Sequence, residues 1–203
     1  MGITERKERE KAGMQRLILD TAMKLFIDQG YESVSMRKIA SIIEYSPASI
    51  YTYFPDKSSI FYELHIEGFT RLLRKQTEVQ GVMDPAERLL QHGRAYLEFA
   101  FENPQYYDLM FIMRTPAEQI VKNKDWEHGM RSYELLKRNV QECRNAGYFK
   151  ESTVDSVALM MWAVVHGIAA LHIRQRLILM ELNASYFEGL IKDSLKNLKN
   201  LIR

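Results

Sequence analysis

The amino-acid sequence predicts an all-α fold, with a small N-terminal helical domain joined to a larger helical one. Apolar residues recur at the i, i+3, i+4 spacing of one-sided helices along most of the 203 residues. Prolines and capping residues divide this pattern into segments of helical length. No segment shows strand periodicity, a repeat or low complexity. We expect residues 1–60 to form the first domain and residues 61–203 the second.

Composition limits the classes of protein to consider. A hydrophobic content of 46% is enough for a sizeable core, and the net charge is only +2. Residues 1–60 hold nine Lys/Arg against eight Asp/Glu, so any affinity for nucleic acid must come from placement. The single cysteine, Cys143, excludes an internal disulfide and a cysteine-based zinc site. We expect no secretion signal or membrane span, and therefore a cytoplasmic protein.

The first helix is predicted from about Ala12 to Gln29, with Gly30 as its C-terminal stop. Residues 1–12, which carry charges of both signs, precede it as a frayed helix start or a mobile arm. The side of the helix that we expect to be buried consists of Met14, Leu17, Ile18, Ala22, Leu25 and Phe26. This helix would be the platform for the shorter ones that follow.

Two short helices and a tight turn come next. Ser35 is predicted to cap the first of them, which is barely two turns long. Its inward positions are Ile39, Ala40, Ile42 and Ile43. Ser46 is a second cap, directly before Pro47 at the first helical position, and Pro55 ends the second helix near Phe54.

The letters of this stretch form a recognisable pattern. Ser35-x-Arg37-x-Ile39-Ala40 is followed by Ser46-Pro47-Ala48-Ser49-Ile50-Tyr51-x-Tyr53-Phe54-Pro55-x-Lys57. The pattern resembles the helix-turn-helix of the TetR family of bacterial transcriptional regulators, and its Tyr-x-Tyr-Phe-Pro-x-Lys ending is the most specific part. The resemblance implies a helix-turn-helix at about residues 35–54 that binds double-stranded operator DNA. A helical hairpin with buried aromatic residues is the structural alternative, but it does not explain why Tyr51, Tyr53 and Lys57 occur together.

The resemblance also implies which residues contact DNA. The set that we expect is Ser35, Arg37, Pro47, Ala48, Ser49, Tyr51, Tyr53 and Lys57. Arg37 would read a guanine edge, and Pro47 to Ser49 would make close apolar or hydroxyl contacts. Tyr51, Tyr53 and Lys57 would hold phosphates and fix the register on the duplex. Basic residues within positions 1–12 could add contacts, although a solvated tail explains them equally well.

Two positions depart from the family pattern. Glu44 stands where the family usually has a glycine, and a left-handed backbone costs a non-glycine residue about 1 kcal/mol. Tyr45 replaces a small aliphatic residue. Together with the near-neutral N-terminal region, Glu44 motivates an alternative function, an all-helical sensor or adaptor of the same fold that lacks sequence-specific DNA binding.

Two longer helices and a short one are predicted in the middle of the chain. Asp56 would cap a helix to about Gln80, and Asp84-Pro85 would begin another that ends near Asn103. Pro104 opens a short helix, and its sequence is unusually rich in aromatic residues and methionine.

The rest of the chain is also predicted to be helical. Thr115-Pro116 begins a short segment, and a long helix covers residues 126–145 before Gly147. Ser152, with Asp155 three residues later, resembles a capping box that opens a helix to about Leu177. A last helix is expected from about Ala184 to the C-terminus.

In the family, the larger domain binds an apolar small-molecule effector. By that resemblance we expect the ligand site to involve Tyr96, Phe99, Tyr106, Met110, Phe111, Met113, Trp126, Met130, Tyr133, Trp162 and His166. Aromatic walls and adaptable methionines suit a neutral or weakly polar molecule. Residues 162–171 are also similar to the C-terminal half of many family members. Two alternatives stay open, because His166 can be a packing residue with one internal partner and the aromatic residues can fill a dry core.

A homodimer is expected through the two C-terminal helices. Apolar residues nearly encircle the first of them: Val157, Leu159, Met160, Met161, Val164, Val165, Ile168 and Leu171. A stripe on the last helix consists of Tyr186, Phe187, Leu190, Ile191, Leu195, Leu198 and Leu201. Two such helices from each subunit can close a four-helix bundle, as the family does, and a two-fold dimer requires a palindromic operator. The alternative is a hairpin within one chain.

The sequence contains no motif that is typical of an enzyme. The five histidines lack the i, i+4 pairing of a helical metal site, and no glycine-rich phosphate loop or nucleophile motif occurs. We therefore expect no catalytic residues, no bound metal and no cofactor. The function predicted is that of a one-component transcriptional regulator, most simply a repressor that a small apolar effector releases from DNA.

Overall fold

A computed structural model of the protein describes residues 2–113 and 127–176, together with residues 186, 189–194 and 197. Within these residues every regular element is helical and no strand occurs, so the fold is all-α as predicted. The chain forms two compact units. Among the described residues, unit 1 contains residues 2–68 and 105–113, and unit 2 contains residues 69–104 and those from 127 onward.

The helices follow one another with short connections. In chain order they are α1 (Ile3–Gln29), a 3₁₀ turn (Tyr31–Ser33), α2 (Met36–Ile42), α3 (Pro47–Tyr51), α4 (Lys57–Glu78), a 3₁₀ turn (Val79–Gly81), α5 (Pro85–Glu102), α6 (Pro104–Tyr107), a π-helical segment (Asp108–Ile112), α7 (Glu127–Asn145) and α8 (Val154–Ile173). Residues 189–194 are also helical. In unit 1, α1 packs on α2, and α2 packs on α3. In unit 2, α5, α7 and α8 pack against one another.

Most of the predicted helix boundaries are confirmed. Ser35 Oγ accepts the amide hydrogen of Lys38 at 3.2 Å, which caps α2. Asp84 Oδ1 accepts that of Ala86 at 3.1 Å at the start of α5. Each cap satisfies a backbone donor that has no partner inside its own helix.

The prediction for the start of α1 is wrong. The helix begins at Ile3, nine residues before Ala12. Local contacts support the extra turns, because Glu5 accepts the amide hydrogen of Gly2 at 2.9 Å and Arg6 pairs with Glu10 at 2.7 Å. Pairs of opposite charge at i, i+4 stabilise an exposed helix in which apolar periodicity is absent.

The predicted bounds of α8 need correction at both ends. Thr153, not Ser152, is the N-cap, since its Oγ1 accepts the amide hydrogen of Ser156 at 3.2 Å. The helix ends at Ile173 and a turn follows, in which Gln175 takes a φ of 54°. This left-handed residue ends the helix before Leu177.

Two residues predicted to face inward are exposed. Ile42 is the last residue of α2 and has 53% of its surface exposed, and Leu17 on α1 is also exposed. Both lie at the border of an apolar stripe, where periodicity alone does not decide which side a residue takes.

Among the described residues, α8 alone has the length and composition of a membrane-spanning helix, with a mean hydropathy of 1.8. Apolar core helices of soluble proteins share this length and composition. Only 28% of the apolar window is buried within the chain. The helix therefore presents apolar surface that the monomer leaves uncovered.

Candidate nucleic-acid interface

The helix-turn-helix consists of α2, the turn at residues 43–46 and α3. Glu44 has a φ of 59°, which is the left-handed conformation expected at the position where the family has glycine. The turn is closed by a hydrogen bond of 3.0 Å from the Tyr45 amide to the Ala40 carbonyl oxygen. Ser46 Oγ then accepts the amide hydrogen of Ser49 at 3.1 Å and caps α3. The motif is therefore complete with glutamate in the turn.

The residues predicted to contact DNA lie at the surface of this motif. Five are exposed: Ser35, Arg37, Pro47, Ala48 and Tyr51. Three are half-buried: Ser49, Tyr53 and Lys57. Ile50, which lies between them on α3, is buried and holds the helix on the unit. The arrangement leaves the face of α3 that carries small residues free to approach a groove.

Ser35 and Ser49 also have structural roles. Ser35 caps α2, and the Ser49 hydroxyl lies 2.8 Å from that of Ser46. Their hydroxyls can still contact DNA, because each oxygen has a second lone pair. Arg37 and Tyr51, by contrast, make none of the described hydrogen bonds through their side chains.

Lys57 is engaged within unit 1. Its Nζ donates to the carbonyl oxygen of Tyr31 at 2.8 Å and lies 4.2 Å from the centroid of the Tyr31 ring. The Glu32 carboxylate is 3.9 Å away. The lysine thus joins the first turn of α4 to the 3₁₀ turn after α1. The predicted phosphate contact would have to share this ammonium group with the Tyr31 carbonyl.

Two further exposed residues on the motif were not predicted as contacts. Tyr45 and Ile42 present apolar side chains on either side of Glu44. The replacement of a small aliphatic residue by Tyr45 was the only sequence signal for the first. Nothing in the pattern indicated the second.

The predicted ligand residues of unit 2 form a chain of contacts. The Tyr96 hydroxyl lies 3.0 Å from His166 Nδ1. The ring of Trp162 is 6.2 Å from that of His166 and 6.1 Å from that of Tyr133. Burial lowers the pKa of His166, so the ring is neutral at pH 7. His166 therefore has the internal partner that its packing interpretation requires, and the same contact is compatible with a polar anchor.

The other members of that set have different surroundings. Phe99 is fully buried, whereas Met130 is exposed. Four members belong to unit 1, namely Tyr106, Met110, Phe111 and Met113. Trp126 lies outside the described residues. The ligand assignment stays a prediction.

Four buried polar residues of unit 2 other than Arg88 were not predicted: Gln76, His92, Ser132 and Asn139. Ser132 Oγ donates to Gln76 Oε1 at 2.8 Å, and Asn139 Nδ2 lies 3.2 Å from His92 Nδ1. A signal was present in α7, because Ser132 and Asn139 are seven residues apart and share a face with Leu136.

Two open grooves border α4 and α7 in unit 2. Their volumes are about 450 and about 610 Å³, and Leu73, Thr77 and Arg131 line both. None of the predicted ligand residues that the structure describes lines either groove. Within the described residues no cluster of three or more metal-ligating side chains occurs.

Comparison with known proteins identifies both parts of the chain. Residues 18–64 match the family model for bacterial regulatory proteins of the tetR family. Residues 89–193, more than half of the chain, match the model for a tetracyclin repressor-like C-terminal domain. The two matches cover the helix-turn-helix and the helices of unit 2 from α5 onward.

Individual relatives agree with this result. The HTH-type transcriptional regulator HbdR of Aromatoleum sp. (strain CIB) is 27% identical over 139 residues, which are 66% of this chain and 58% of HbdR. The HTH-type regulator YobS of Bacillus subtilis (strain 168) is 26% identical over 48% of this chain and 51% of its own. The chain thus spans about half the length of these two relatives.

Solved structures share the fold. The TetR-family regulator PfmR from Thermus thermophilus has a TM-score of 0.60 and 27% identity, over 77% of this chain and 84% of PfmR. The fatty acid degradation regulator FadR from Bacillus halodurans has a TM-score of 0.70 at 16% identity, over 90% and 92% of the two chains. The second likeness supports the fold alone.

The motif geometry and the family matches lead to one conclusion. The chain belongs to the TetR family of bacterial transcriptional regulators.

Proposed function

We propose that the protein is a cytoplasmic repressor that binds a palindromic operator as a homodimer and dissociates when a small apolar effector binds. The observation that carries the proposal is the helix-turn-helix surface. Arg37, Pro47, Ala48 and Tyr51 are all exposed on two short helices held by buried residues of the same unit. Small residues at the start of α3 allow close approach to base edges, and Arg37 supplies a donor pair that suits guanine.

The homodimer is supported by the apolar surface of α8. Leu159, Met160 and Leu171 are exposed on this helix, and Tyr186 and Leu190 are exposed near the C-terminus. Phe187, Leu195, Leu198 and Leu201 of the predicted stripe lie outside the described residues. Exposed apolar area of this extent on consecutive helical segments is typical of a subunit interface. Two-fold symmetry would then place two helix-turn-helix motifs on one operator.

An effector can release the protein from DNA only if its affinities for two conformations of the protein differ. A ligand shifts the protein away from DNA only if it binds more tightly to the conformation that does not fit the operator. In unit 2 the contacts among Tyr96, Tyr133, Trp162 and His166 offer aromatic surface and a neutral polar atom. This chemistry favours an uncharged effector.

Fluorescence anisotropy on upstream DNA from the protein's own locus tests the DNA-binding assignment. Replacement of Lys57 by Ala and of Tyr51 by Phe should weaken binding to all sequences about equally, and the first should lower the salt slope by about one. Replacement of Arg37 by Ala should cost about 1–3 kcal/mol and relax specificity at one base pair. Lys24→Ala is a matched control, because Lys24 is exposed on α1 outside the motif.

Two outcomes would contradict the proposal. Unchanged affinity in both the Lys57→Ala and Tyr51→Phe variants would remove the phosphate assignment. Uniform weak binding of the wild type to all fragments at moderate salt would favour the adaptor, for which Glu44 in the turn and the near-neutral N-terminal region are the motives.

A further inference from the structure

The outward face of α3 is centred on two residues, Ala48 and Thr52. Ile50 is only 1% exposed and marks the inward side of the helix. At about 100° per residue, Ala48 and Thr52 both lie about 160° around the helix axis from Ile50. Thr52 directly follows the helix and keeps a helical backbone, with a φ of −72° and a ψ of −18°. Both residues are exposed, so they form the part of α3 that a groove of DNA would meet first.

The hydroxyl hydrogen of Thr52 is already used within the motif. Thr52 Oγ1 donates to the carbonyl oxygen of Ser49 at 2.6 Å. A hydroxyl has one hydrogen, so this bond takes the only donor of the side chain. The side chain of Ala48 is itself a methyl group. The centre of the outward face therefore offers two methyl groups and no side-chain hydrogen-bond donor.

This chemistry matches one base. The second helix of a helix-turn-helix lies in the major groove, where thymine presents an apolar group, its 5-methyl. The methyl groups of alanine and threonine are ordinary contacts for it. Side chains at i and i+4 of a helix are about 6 Å apart, which is close to two base-pair steps of about 3.4 Å each.

We propose that Ala48 and Thr52 read thymine through its 5-methyl group. Each half of the operator then carries two thymines within two base pairs of each other, opposite the outward face of α3. Thr52 is a specificity-determining residue of this readout, and its bond to Ser49 fixes the side chain in one rotamer. The inference rests on the proposed function, because it specifies the base that the helix-turn-helix recognises.

Replacement of thymine by uracil in the operator tests the inference. The full chain first selects its preferred site from a pool of random-sequence duplexes. Each thymine of this site is then replaced singly by deoxyuridine, which lacks the 5-methyl group and keeps the hydrogen-bonding edge of the base. Fluorescence anisotropy should show about fourfold weaker binding at two thymines within two base pairs, the effect expected for one buried methyl group each. A site in which uracil changes nothing at any thymine would overturn the proposal.

Two variants of Thr52 separate its methyl group from its hydroxyl. Thr52→Ser loses the methyl group, so it should bind the thymine site about fourfold more weakly, and uracil at one of the two positions should weaken it no further. Thr52→Val keeps a methyl group without the hydroxyl and should retain the wild-type sensitivity to uracil. Wild-type sensitivity at both positions in Thr52→Ser would overturn the assignment. Lost sensitivity in Thr52→Val would also overturn it, because the hydroxyl oxygen would then be the reader.

Thr77→Ser is a matched control outside the motif. Thr77 is exposed on α4, and its Oγ1 also donates to a backbone carbonyl oxygen of its own helix, that of Leu73, at 2.7 Å. This variant should keep the wild-type affinity and the wild-type response to uracil. A loss equal to that of Thr52→Ser would attribute the effect to the fold and overturn the assignment.

The selection itself separates this inference from the proposed function. A wild type that selects a site without uracil-sensitive thymines overturns only the readout by Ala48 and Thr52. A wild type that selects no sequence contradicts the repressor and the thymine readout together.

Discussion

Glu44 is the residue at which the backbone departs most clearly from what its side chain prefers. Its φ of 59° lies in the left-handed region, where a Cβ atom clashes with the neighbouring carbonyl oxygen. The turn between α2 and α3 nevertheless keeps its hydrogen bond from Tyr45 to Ala40. The packing of the two helices therefore holds a conformation that glycine would adopt at lower cost.

Replacement of Glu44 by Gly should raise the free energy of unfolding by about 1 kcal/mol, because glycine tolerates positive φ. The shift should appear in the urea midpoint without a change in m value. Glu44→Ala is the control, since alanine loses the same charge and keeps the backbone strain. Equal stabilisation by both substitutions would attribute the effect to charge instead.

Lys57 combines a structural contact with its predicted role on DNA. Loss of the ammonium group leaves the Tyr31 carbonyl oxygen without this donor and removes the contact with the Tyr31 ring. Lys57→Met keeps most of the side-chain volume and should lower the free energy of unfolding by about 1–2 kcal/mol. Urea unfolding without DNA measures this loss. An unchanged midpoint would assign the lysine to DNA alone.

At the scale of helices, short side chains at the ends decide where each element begins. Ser35, Ser46 and Thr153 each accept an amide hydrogen from the first turn of their helix. Neighbouring residues of the same type compete for this role, and only backbone geometry selects one. At α8 both Ser152 and Thr153 have a hydroxyl, but Thr153 has the extended backbone of an N-cap and makes the bond.

The two hydroxyl residues before α8 offer a matched pair of substitutions. Thr153→Ala should cost about 1 kcal/mol of stability, because the amide of Ser156 loses its acceptor. Ser152→Ala should be close to neutral. Thermal unfolding of the two variants measures the difference. A larger loss of stability in Ser152→Ala than in Thr153→Ala would show that Ser152 is the N-cap, as the sequence pattern predicts.

The assembly of the whole molecule depends on α8. Leu159 has 58% of its surface exposed in the single chain, which is unusual for a leucine on so apolar a helix. Leu159→Glu should shift the protein from dimer to monomer in light scattering at micromolar concentration, while helix content stays normal. The exposed Met83→Glu lies outside this helix and is the control. A wild-type monomer would refute the proposed dimer.

Buried histidines should make stability depend on pH. Burial lowers the pKa of His65 and of His92 from 6.5 to about 4, so the unfolded chain binds protons that the native protein does not. Stability is then complete above pH 6.5 and is lost as the pH falls toward 4. Each histidine should cost about 1.3 kcal/mol at pH 5.5 relative to pH 7.5.

Urea unfolding at the two pH values measures this effect. For each protein, the decrease in the free energy of unfolding between pH 7.5 and pH 5.5 is measured. In His65→Gln, about half of the decrease that the two histidines cause should disappear. An identical pH dependence in the variant would mean that His65 is protonated in the native state.

The sequence by itself determined the fold class, the family and the helix-turn-helix. These features depend on local rules, since capping serines, Pro47 and the spacing of apolar residues act within a few positions of each other. The left-handed position of Glu44 was also predictable, because the turn needs that conformation whichever residue occupies it. For the same reason the surface residues around Arg37 and Tyr51 are predictable from the sequence alone.

Only the tertiary structure decided which distant side chains meet. No spacing rule indicates that Lys57 bonds the Tyr31 carbonyl, or that Asn139 faces His92 from another helix. The extension of α1 to Ile3 rests on pairs of charges and not on an apolar stripe. Partners separated by 26 or 47 positions are set by helix packing, and packing depends on the sum of many weak contacts that one-dimensional periodicity does not contain.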